Sequence, residues 1–249
     1  MIWVIGGTIN AREVVNILVK EGYSCVITVT TSLGKQLSEY AGAEVFQGML
    51  NDQEMVEFIT SKSIKLIIDA SHPFASEVSH NAINSSAISK IPYIRFERQN
   101  PEYSDAIYVK DYETALNLLK ETTGNILLTI GSKNIGKFIP LGVDRIYARV
   151  LSSTASVSIC EQAGLKSSQI IGMSVVSSKD LNLAILKEYR IKFLVTKASG
   201  NEGGINEKIE AAKLANTEVI IIQRPTVQYP EMFSEYKTLI TRTKEIYIL

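Results

Sequence analysis

The residues of this chain that could do chemistry sit in turns rich in glycine, hydroxyls and cations. The first is Gly6-Gly7-Thr8, between an apolar run from Ile2 to Ile5 and a helical stripe carried by Val14, Val15, Leu18 and Val19. Two glycines free the backbone for a sharp turn and for close approach of another atom, and Thr8 can cap the helix. Unsatisfied N–H groups and the positive helix end then face one point, which makes an anion site suited to a nucleotide phosphate. The pattern is not the full G-x-G-x-x-G fingerprint, and the same turn could be a structural junction in another α/β protein.

The second turn is Thr30-Thr31-Ser32-Leu33-Gly34-Lys35, after the strand-like stretch Ser24–Thr30. Dinucleotide enzymes that use NAD place an acid here for the ribose 2′-hydroxyl. Hydroxyls at Thr31 and Ser32, with Gly34 and Lys35, suit a 2′-phosphate instead and favour NADPH, unless they are only a helix cap and a solvated lysine. The third turn, Asp69-Ala-Ser71-His72-Pro73-Phe74-Ala75, leaves a buried strand at the edge where open α/β sheets bind ligands. Ser71, His72, Pro73 and Phe74 are therefore candidates for cofactor contact. His72 is the catalytic candidate, held in an extended loop by the following proline and expected to orient ligands rather than to donate a proton. A loop histidine satisfied by backbone is the alternative, and His80 reads as structural.

Cations gather farther on. Arg95 and Arg98 close a strand. Gly131-Ser132-Lys133, then Lys197-Ala-Ser199-Gly200-x-x-Gly203-Gly204, then Arg224-Pro225, follow three strands of the second half. Each turn alone could be a helix cap with a solvated cation. Together on one sheet edge they suit a substrate with several carboxylates.

These turns need a frame of alternating strands and helices. Before Gln99 the chain reads strand–helix from Ile2–Ile5 through Ser24–Thr30, Glu44–Gln47, Lys65–Asp69 and Pro92–Phe96. After it come strand-like Ile107–Lys110, Asn125–Ile130, Arg145–Leu151, Ile170–Val176, Ile191–Thr196 and Glu218–Gln223, again with helical stretches between. Apolar strands without polar alternation belong to parallel sheets covered on both faces. Ile191–Thr196 is the most apolar of the second half and is expected at its centre. The polar, proline-broken stretch Gln99–Ser104 is the best linker. We expect an N-terminal cofactor domain over 1–99 and a C-terminal substrate domain over 100–249, with a cleft between them.

Lys plus Arg and Asp plus Glu both number 26 in 249 residues, so no overall field favours nucleic acid or an anionic membrane. No apolar run reaches membrane length and no leader precedes the first strand, which reads as a cytoplasmic protein. Cys25 and Cys160 lie in apolar stretches without metal-type spacing and read as core thiols. Nothing bears on oligomeric state.

Taken together, these residues resemble the precorrin-6A/cobalt-precorrin-6A reductase family of corrin (vitamin B12) biosynthesis. The resemblance runs from Gly6 to Arg224. It is carried by Gly6-Gly7-Thr8 with Arg12, Asp69 to Ala75, Arg95-Phe96-Glu97-Arg98, Thr129-Ile130-Gly131, Arg149-Val150-Leu151, Thr196 to Gly200, Gly203-Gly204, Glu207 to Ala212 and Arg224-Pro225. It implies two Rossmann-like α/β domains, NADPH held mainly by the first, and a tetrapyrrole polycarboxylate as substrate. The implied reaction is hydride transfer to one double bond of the macrocycle, with no metal or flavin required. It also adds Arg12 to the cofactor residues and Arg149 to those for substrate. Asn10 stands where the family usually has Glu, Gln99 where it often has Pro, and Ser152 where Pro is common. A Gly-Pro-Phe turn usual before Asn182 is absent, the chain reading Met173-Ser-Val-Val-Ser-Ser178. Other readings remain: a different NADP-dependent reductase on the same frame, although it would lack a Tyr-x-x-x-Lys pair, or an NADP-binding sensor without chemistry. The sequence leaves open whether the macrocycle carries cobalt.

Overall fold

A computed structural model describes residues 1–39, 42–99, 101–174, 176–200 and 203–248. Tyr40, Asn100, Val175, Asn201 and Glu202, expected in a helix end, the linker, a strand and a glycine turn, lie outside the described residues. The chain divides into two compact units, one of Met1–Gln99 with Pro225–Leu249 and one of Asn100–Arg224.

The first unit is built on six parallel strands: β1 (Ile2–Ile5), β2 (Cys25–Val29), β3 (Glu44–Gln47), β4 (Leu66–Asp69), β5 (Tyr93–Phe96) and β12 (Met232–Phe233), in the order β12-β5-β4-β1-β2-β3. Helices α1 (Ile9–Lys20), α2 (Ser32–Ser38), α3 (Asp52–Ser61), α4 (Ser76–Ser89) and α9 (Tyr236–Ile248) belong with it. Strand order reverses between β1 and β4, the switch point at which such sheets open a crevice. β1 is buried along its whole length. Its residues alternate between two cores, Ile2 and Val4 packing with Val14, Val15 and Leu18 of α1, and Trp3 and Ile5 with Met55, Phe58 and Ile59 of α3. Burying one such aliphatic side chain stabilises the fold by about 1.5–3 kcal/mol. Asn51 and Glu54 form a reciprocal cap that starts α3.

The last segment corrects the expected boundary of 100–249. The amides of Arg95 in β5 and of Glu97 just beyond it donate to the carbonyls of Glu231 and Phe233, adding β12 to the first sheet. Leu239 and Ile240 of α9 enter the same core as Ile2 and Val4. Apolar burial and ladder hydrogen bonds thus return Pro225–Leu249 to the first unit.

The second unit is also a six-stranded parallel sheet: β6 (Ala106–Val109), β7 (Asn125–Leu128), β8 (Ile146–Val150), β9 (Ile170–Gly172), β10 (Ile191–Lys197) and β11 (Glu218–Ile222), ordered β6-β11-β10-β7-β8-β9. With it go α5 (Tyr112–Leu119), α6 (Thr154–Gln162), α7 (Lys179–Glu188) and α8 (Ile205–Ala215). β10 is interior as expected, and the switch point lies between it and β7. The chain after β7 forms a run of 3-10 turns over Ser132–Leu141, of which the sequence reading expected only the turn at its start. Both sheets together make the fold α/β with two Rossmann-like units.

Candidate functional site

In the first unit the turn after β1 divides its work among three residues. The Gly6 amide donates to the Thr28 carbonyl at 2.8 Å. A Cβ on Gly6 would lie 2.7 Å from that same oxygen, so glycine is required here by contact with β2. Gly7 has φ +99 and nothing within 4 Å of where a Cβ would stand, so it leaves the open face. The Thr8 hydroxyl accepts from the Ala11 amide at 3.0 Å and donates to the Ala70 carbonyl at 2.7 Å. That pair of bonds caps α1 and ties its start to the end of β4, across the switch point. Arg12 donates to the Thr8 carbonyl at 3.4 Å, which brings a cation to the turn. An open backbone face, the amino end of a 12-residue helix and a guanidinium fit a diphosphate.

After β2, the Thr31 hydroxyl accepts from the Gly34 amide at 3.0 Å and starts α2. The Ser32 hydroxyl accepts from Gln47 at 3.3 Å. Thr31, Ser32 and Lys35 are all exposed and Gly34 is half-buried. The turn is therefore a helix cap that also leaves a group of hydroxyls and a lysine exposed.

The turn after β4 is organised by Asp69, which sequence reading left without a role. Its carboxylate accepts from the Ser71 amide (2.9 Å), Ser79 (2.6 Å), Tyr93 (2.7 Å) and Arg95 (2.9 Å). Arg95 reaches back to Ser71 Oγ at 3.2 Å and forward to Glu97 at 2.5 Å, while Tyr229 lies 5.3 Å from its guanidinium. Arg95 was expected to bind substrate. Its 0% exposure and its two acidic partners make it a core ion pair instead. Burial, then the Asp69 charge, pushes the Tyr93 phenol up, so it stays a neutral donor to Asp69. His72, Pro73 and Phe74 are half-buried. The Phe74 amide donates to His72 Nδ1 at 3.2 Å, which assigns the proton of the neutral ring to Nε2. Arg98, also expected to bind substrate, is half-buried. It donates to Glu13 at 3.0 Å and Tyr236 at 2.8 Å, joining α1 to α9 within the first unit.

In the second unit, the Thr129 amide donates to the Val195 carbonyl at 2.9 Å, joining the ends of β7 and β10 at the switch point. Beyond it Gly131 turns with φ +83 and is exposed, Ser132 is half-buried and Lys133 exposed. Beyond β10, the Ser199 amide donates to the Lys197 carbonyl at 2.7 Å, and Arg224 donates to the Ala198 carbonyl at 2.8 Å. Gly203 is needed because Ser199 occupies the place its Cβ would take. Gly200 and Gly204 turn with φ +78 and +66, which other residues rarely adopt.

Two further cations meet this turn. Arg149 of β8 donates to Asn182 at 2.7 Å and Ser177 at 3.3 Å. Lys208 of α8 donates to the Gly203 carbonyl at 2.7 Å. Burial depresses the pKa of Arg149 and of Lys197. Lys208 is lowered to about 7, first by burial, then by Arg149 and Lys197, with Glu207 opposing. Sequence reading missed Lys208, although it stands on the apolar stripe Ile205–Lys208–Ile209–Ala212, where a lysine needs a reason. Val176 and Ser177 border the cluster, since Ser177 holds Arg149 and Val176 abuts Gly204. Among the described residues no three His, Cys, Asp or Glu gather as metal ligands, and no helix is long and apolar enough to cross a membrane.

The model of the family described as "Precorrin-6x reductase CbiJ/CobK" matches residues 1–244. The chain belongs to that family. Among its relatives, the cobalt-precorrin-6A reductase of Priestia megaterium is 36% identical over 246 residues, covering 96% of each chain. That of Methanococcus maripaludis is 31% identical over 252 residues, covering 98% of this chain and 99% of its own. The solved structure of a CobK precorrin-6A reductase has a TM-score of 0.80 at 19% identity, covers 98% of this chain and 96% of its own, and shares the fold. As a member of that family the chain is an oxidoreductase of the CH–CH class, and its reductant is a nicotinamide cofactor.

Proposed function

We propose that this chain reduces one double bond of the cobalt-precorrin-6A macrocycle in cobalamin biosynthesis, with NADPH as the hydride donor. The observation that carries the activity is the family match over residues 1–244, and the names of the relatives above 30% identity favour the cobalt form. NADPH, when bound, supplies the hydride. The turn at Gly6, Gly7 and Thr8, with Arg12, takes the pyrophosphate: it offers the open face at Gly7, a helix end and a cation. Ser32 and Lys35, with the Thr31–Gly34 cap beneath them, take the 2′-phosphate. His72, between Ser71 and the Pro73-Phe74 pair, orients the cofactor through Nε2. Its other ring nitrogen is held by the backbone of its own loop, so the ring is fixed rather than poised for exchange.

The substrate's carboxylates fall to the second unit. Arg149, Lys197, Arg224 and Lys133 are its cations, Ser132 and Ser199 its hydroxyl donors, and Gly131, Gly200, Gly203 and Gly204 shape the turns that carry them. Location in the cytoplasm, with no nucleic-acid or membrane partner, goes with a water-soluble biosynthetic substrate of this kind.

The test is consumption of reduced nicotinamide, followed by absorbance, with cobalt-precorrin-6A and precorrin-6A offered side by side and NADPH compared with NADH. Turnover should be fastest with NADPH and the cobalt macrocycle. Preference for the metal-free macrocycle would overturn the cobalt assignment, and binding of NADPH without oxidation in either case would make the chain a sensor.

A further inference from the structure

We propose that the buried Asp69–Arg95 pair positions the Ser71 hydroxyl as a donor to the cofactor, and that the atom it serves is an oxygen of the diphosphate. Ser71 then touches the ligand, and Arg95 is a positioning residue that acts through it. The inference rests on the reading of the first unit as the carrier of NADPH.

Almost every bond around Ser71 is settled within the fold. Its amide donates to Asp69 Oδ1 at 2.9 Å, and Arg95 Nη1 donates to the same oxygen at 2.9 Å. Asp69 Oδ2 accepts from Ser79 at 2.6 Å and from Tyr93 at 2.7 Å. A carboxylate offers about four lone-pair sites, and the donors just named fill them. The Ser71 hydroxyl therefore finds no acceptor on Asp69. Arg95 Nη1 reaches Ser71 Oγ at 3.2 Å. A guanidinium has donors and no acceptor, so the hydroxyl meets it with a lone pair and turns its hydrogen away. Among the described residues this is the bond that Ser71 Oγ makes, and it makes it as acceptor. The hydrogen is left for a ligand.

The groups behind that hydroxyl are held firmly. Asp69 and Arg95 are 0% exposed and Ser71 is 5% exposed. Glu97 holds the far side of the guanidinium, accepting from Nε at 3.0 Å and from Nη2 at 2.5 Å. A donor fixed before its acceptor arrives loses little freedom on binding. Chain continuity sets its neighbourhood. The carbonyl of Ala70, the preceding residue, accepts from the Thr8 hydroxyl at 2.7 Å, which brings Ser71 beside the turn assigned to the diphosphate. Arg12 supplies the cation there; Ser71 supplies direction. A diphosphate oxygen carries lone pairs and no hydrogen, which is the partner that an outward O–H requires.

The test is binding to the full chain rather than turnover. NADPH is titrated and followed by its own fluorescence, and two fragments are then used to displace it. One is 2′-phosphoadenosine 5′-diphosphate, which keeps the diphosphate and lacks the nicotinamide and its ribose. The other is adenosine 2′-phosphate, which lacks all three. Ser71→Ala should weaken NADPH and the diphosphate fragment about tenfold each and leave adenosine 2′-phosphate unchanged. Arg95→Met, measured well below its melting point, should reproduce that pattern. Added to Ser71→Ala it should cost no further affinity, because both changes remove the same contact. An Arg95 that is structural alone would weaken all three ligands alike or none, and its effect would add to that of Ser71→Ala. Undiminished binding of the diphosphate fragment to Ser71→Ala, or a loss confined to NADPH, would overturn the assignment to the diphosphate. Additive losses would overturn the role of Arg95. If Arg95→Met does not fold, Arg95→Lys, which keeps a cation for Asp69 without the forked reach to Ser71, takes its place. If that fails as well, the fragment series in Ser71→Ala decides by itself. A wild type that binds no NADPH would instead remove the cofactor reading of the unit, and this inference with it.

Discussion

Replacing Arg95 by Met separates a structural arginine from a ligand-binding one. The side chain is fully buried and donates to Asp69 and Glu97, and the Asp69 carboxylate is as deeply buried as its partner. Met keeps the apolar stem and removes the charge. Asp69 then keeps its bonds from Ser71, Ser79 and Tyr93 but has no cation. Breaking one side of a buried pair costs about 3–5 kcal/mol, because the remaining charge is left desolvated. Against a typical stability of about 5–15 kcal/mol this is a large fraction. At about 2–4 °C per kcal/mol for a protein of this size, the melting point should fall by roughly 6–20 °C. The assay can be specific to the first unit, since Trp3 is the single tryptophan and lies in its core. Urea denaturation followed by tryptophan emission should show the loss, while KM for the macrocycle, measured at low temperature on folded protein, should stay within about twofold. An unchanged midpoint with a KM raised about tenfold would refute the reasoning and return Arg95 to the ligand site.

Lys35→Glu should weaken NADPH far more than NADH, by about 1–3 kcal/mol; equal losses for both would mean that the 2′-phosphate is read elsewhere. His72→Ala should lower turnover moderately and leave both limbs of the pH–rate profile in place, whereas loss of one limb would make His72 a general acid. Lys197→Ala should raise KM for the macrocycle roughly tenfold or more with cofactor affinity almost unchanged, and the opposite pattern in a binding titration would reverse the assignment of the two units. Gly6→Ala, whose Cβ would stand 2.7 Å from a backbone oxygen, should cost about 1–3 kcal/mol of stability in the same tryptophan assay, and a neutral outcome would contradict the packing described for β2.

Much of the fold was legible because buried parallel strands leave a plain trace. Ile2–Ile5, Leu66–Asp69 and Ile191–Lys197 are apolar runs too short for helices, each followed by glycine or hydroxyl residues. The segment beyond Arg224 left no such trace. β12 has two residues, too few for any period, and its place beside β5 is decided by ladder bonds to Arg95 and Glu97. The role of Arg95 was hidden for a related reason. Asp69 and Arg95 are cross-strand partners in the register of β4 and β5, and register between strands separated by a helix is not written locally in either. Arg95-x-x-Arg98 at a strand end therefore looked like a ligand pair, although the Arg95 guanidinium lies in the core. At the candidate site the turns themselves were legible from residue type. Their division of labour was not: Gly6 packs, Gly7 opens, and the Thr8 hydroxyl is committed to two bonds within the fold. Lys208 could have been found, since a lysine in phase with Ile205, Ile209 and Ala212 breaks the rule for an apolar stripe.

The return of Pro225–Leu249 to the first unit sets an order of assembly during synthesis. β1 to β5 leave the ribosome first, yet β12 and α9, which pair with β5 and pack under β1, emerge only after the whole of Asn100–Arg224. At about 5–20 residues per second, the β5 edge and the α9 side of that core wait several seconds for their partners. The second unit has no such wait, because all six of its strands lie within one continuous stretch. The unit begun second is thus the one able to finish first, and a nascent chain stalled after Arg224 would carry a complete second unit beside a first unit whose β5 edge still offers its backbone to any strand that meets it.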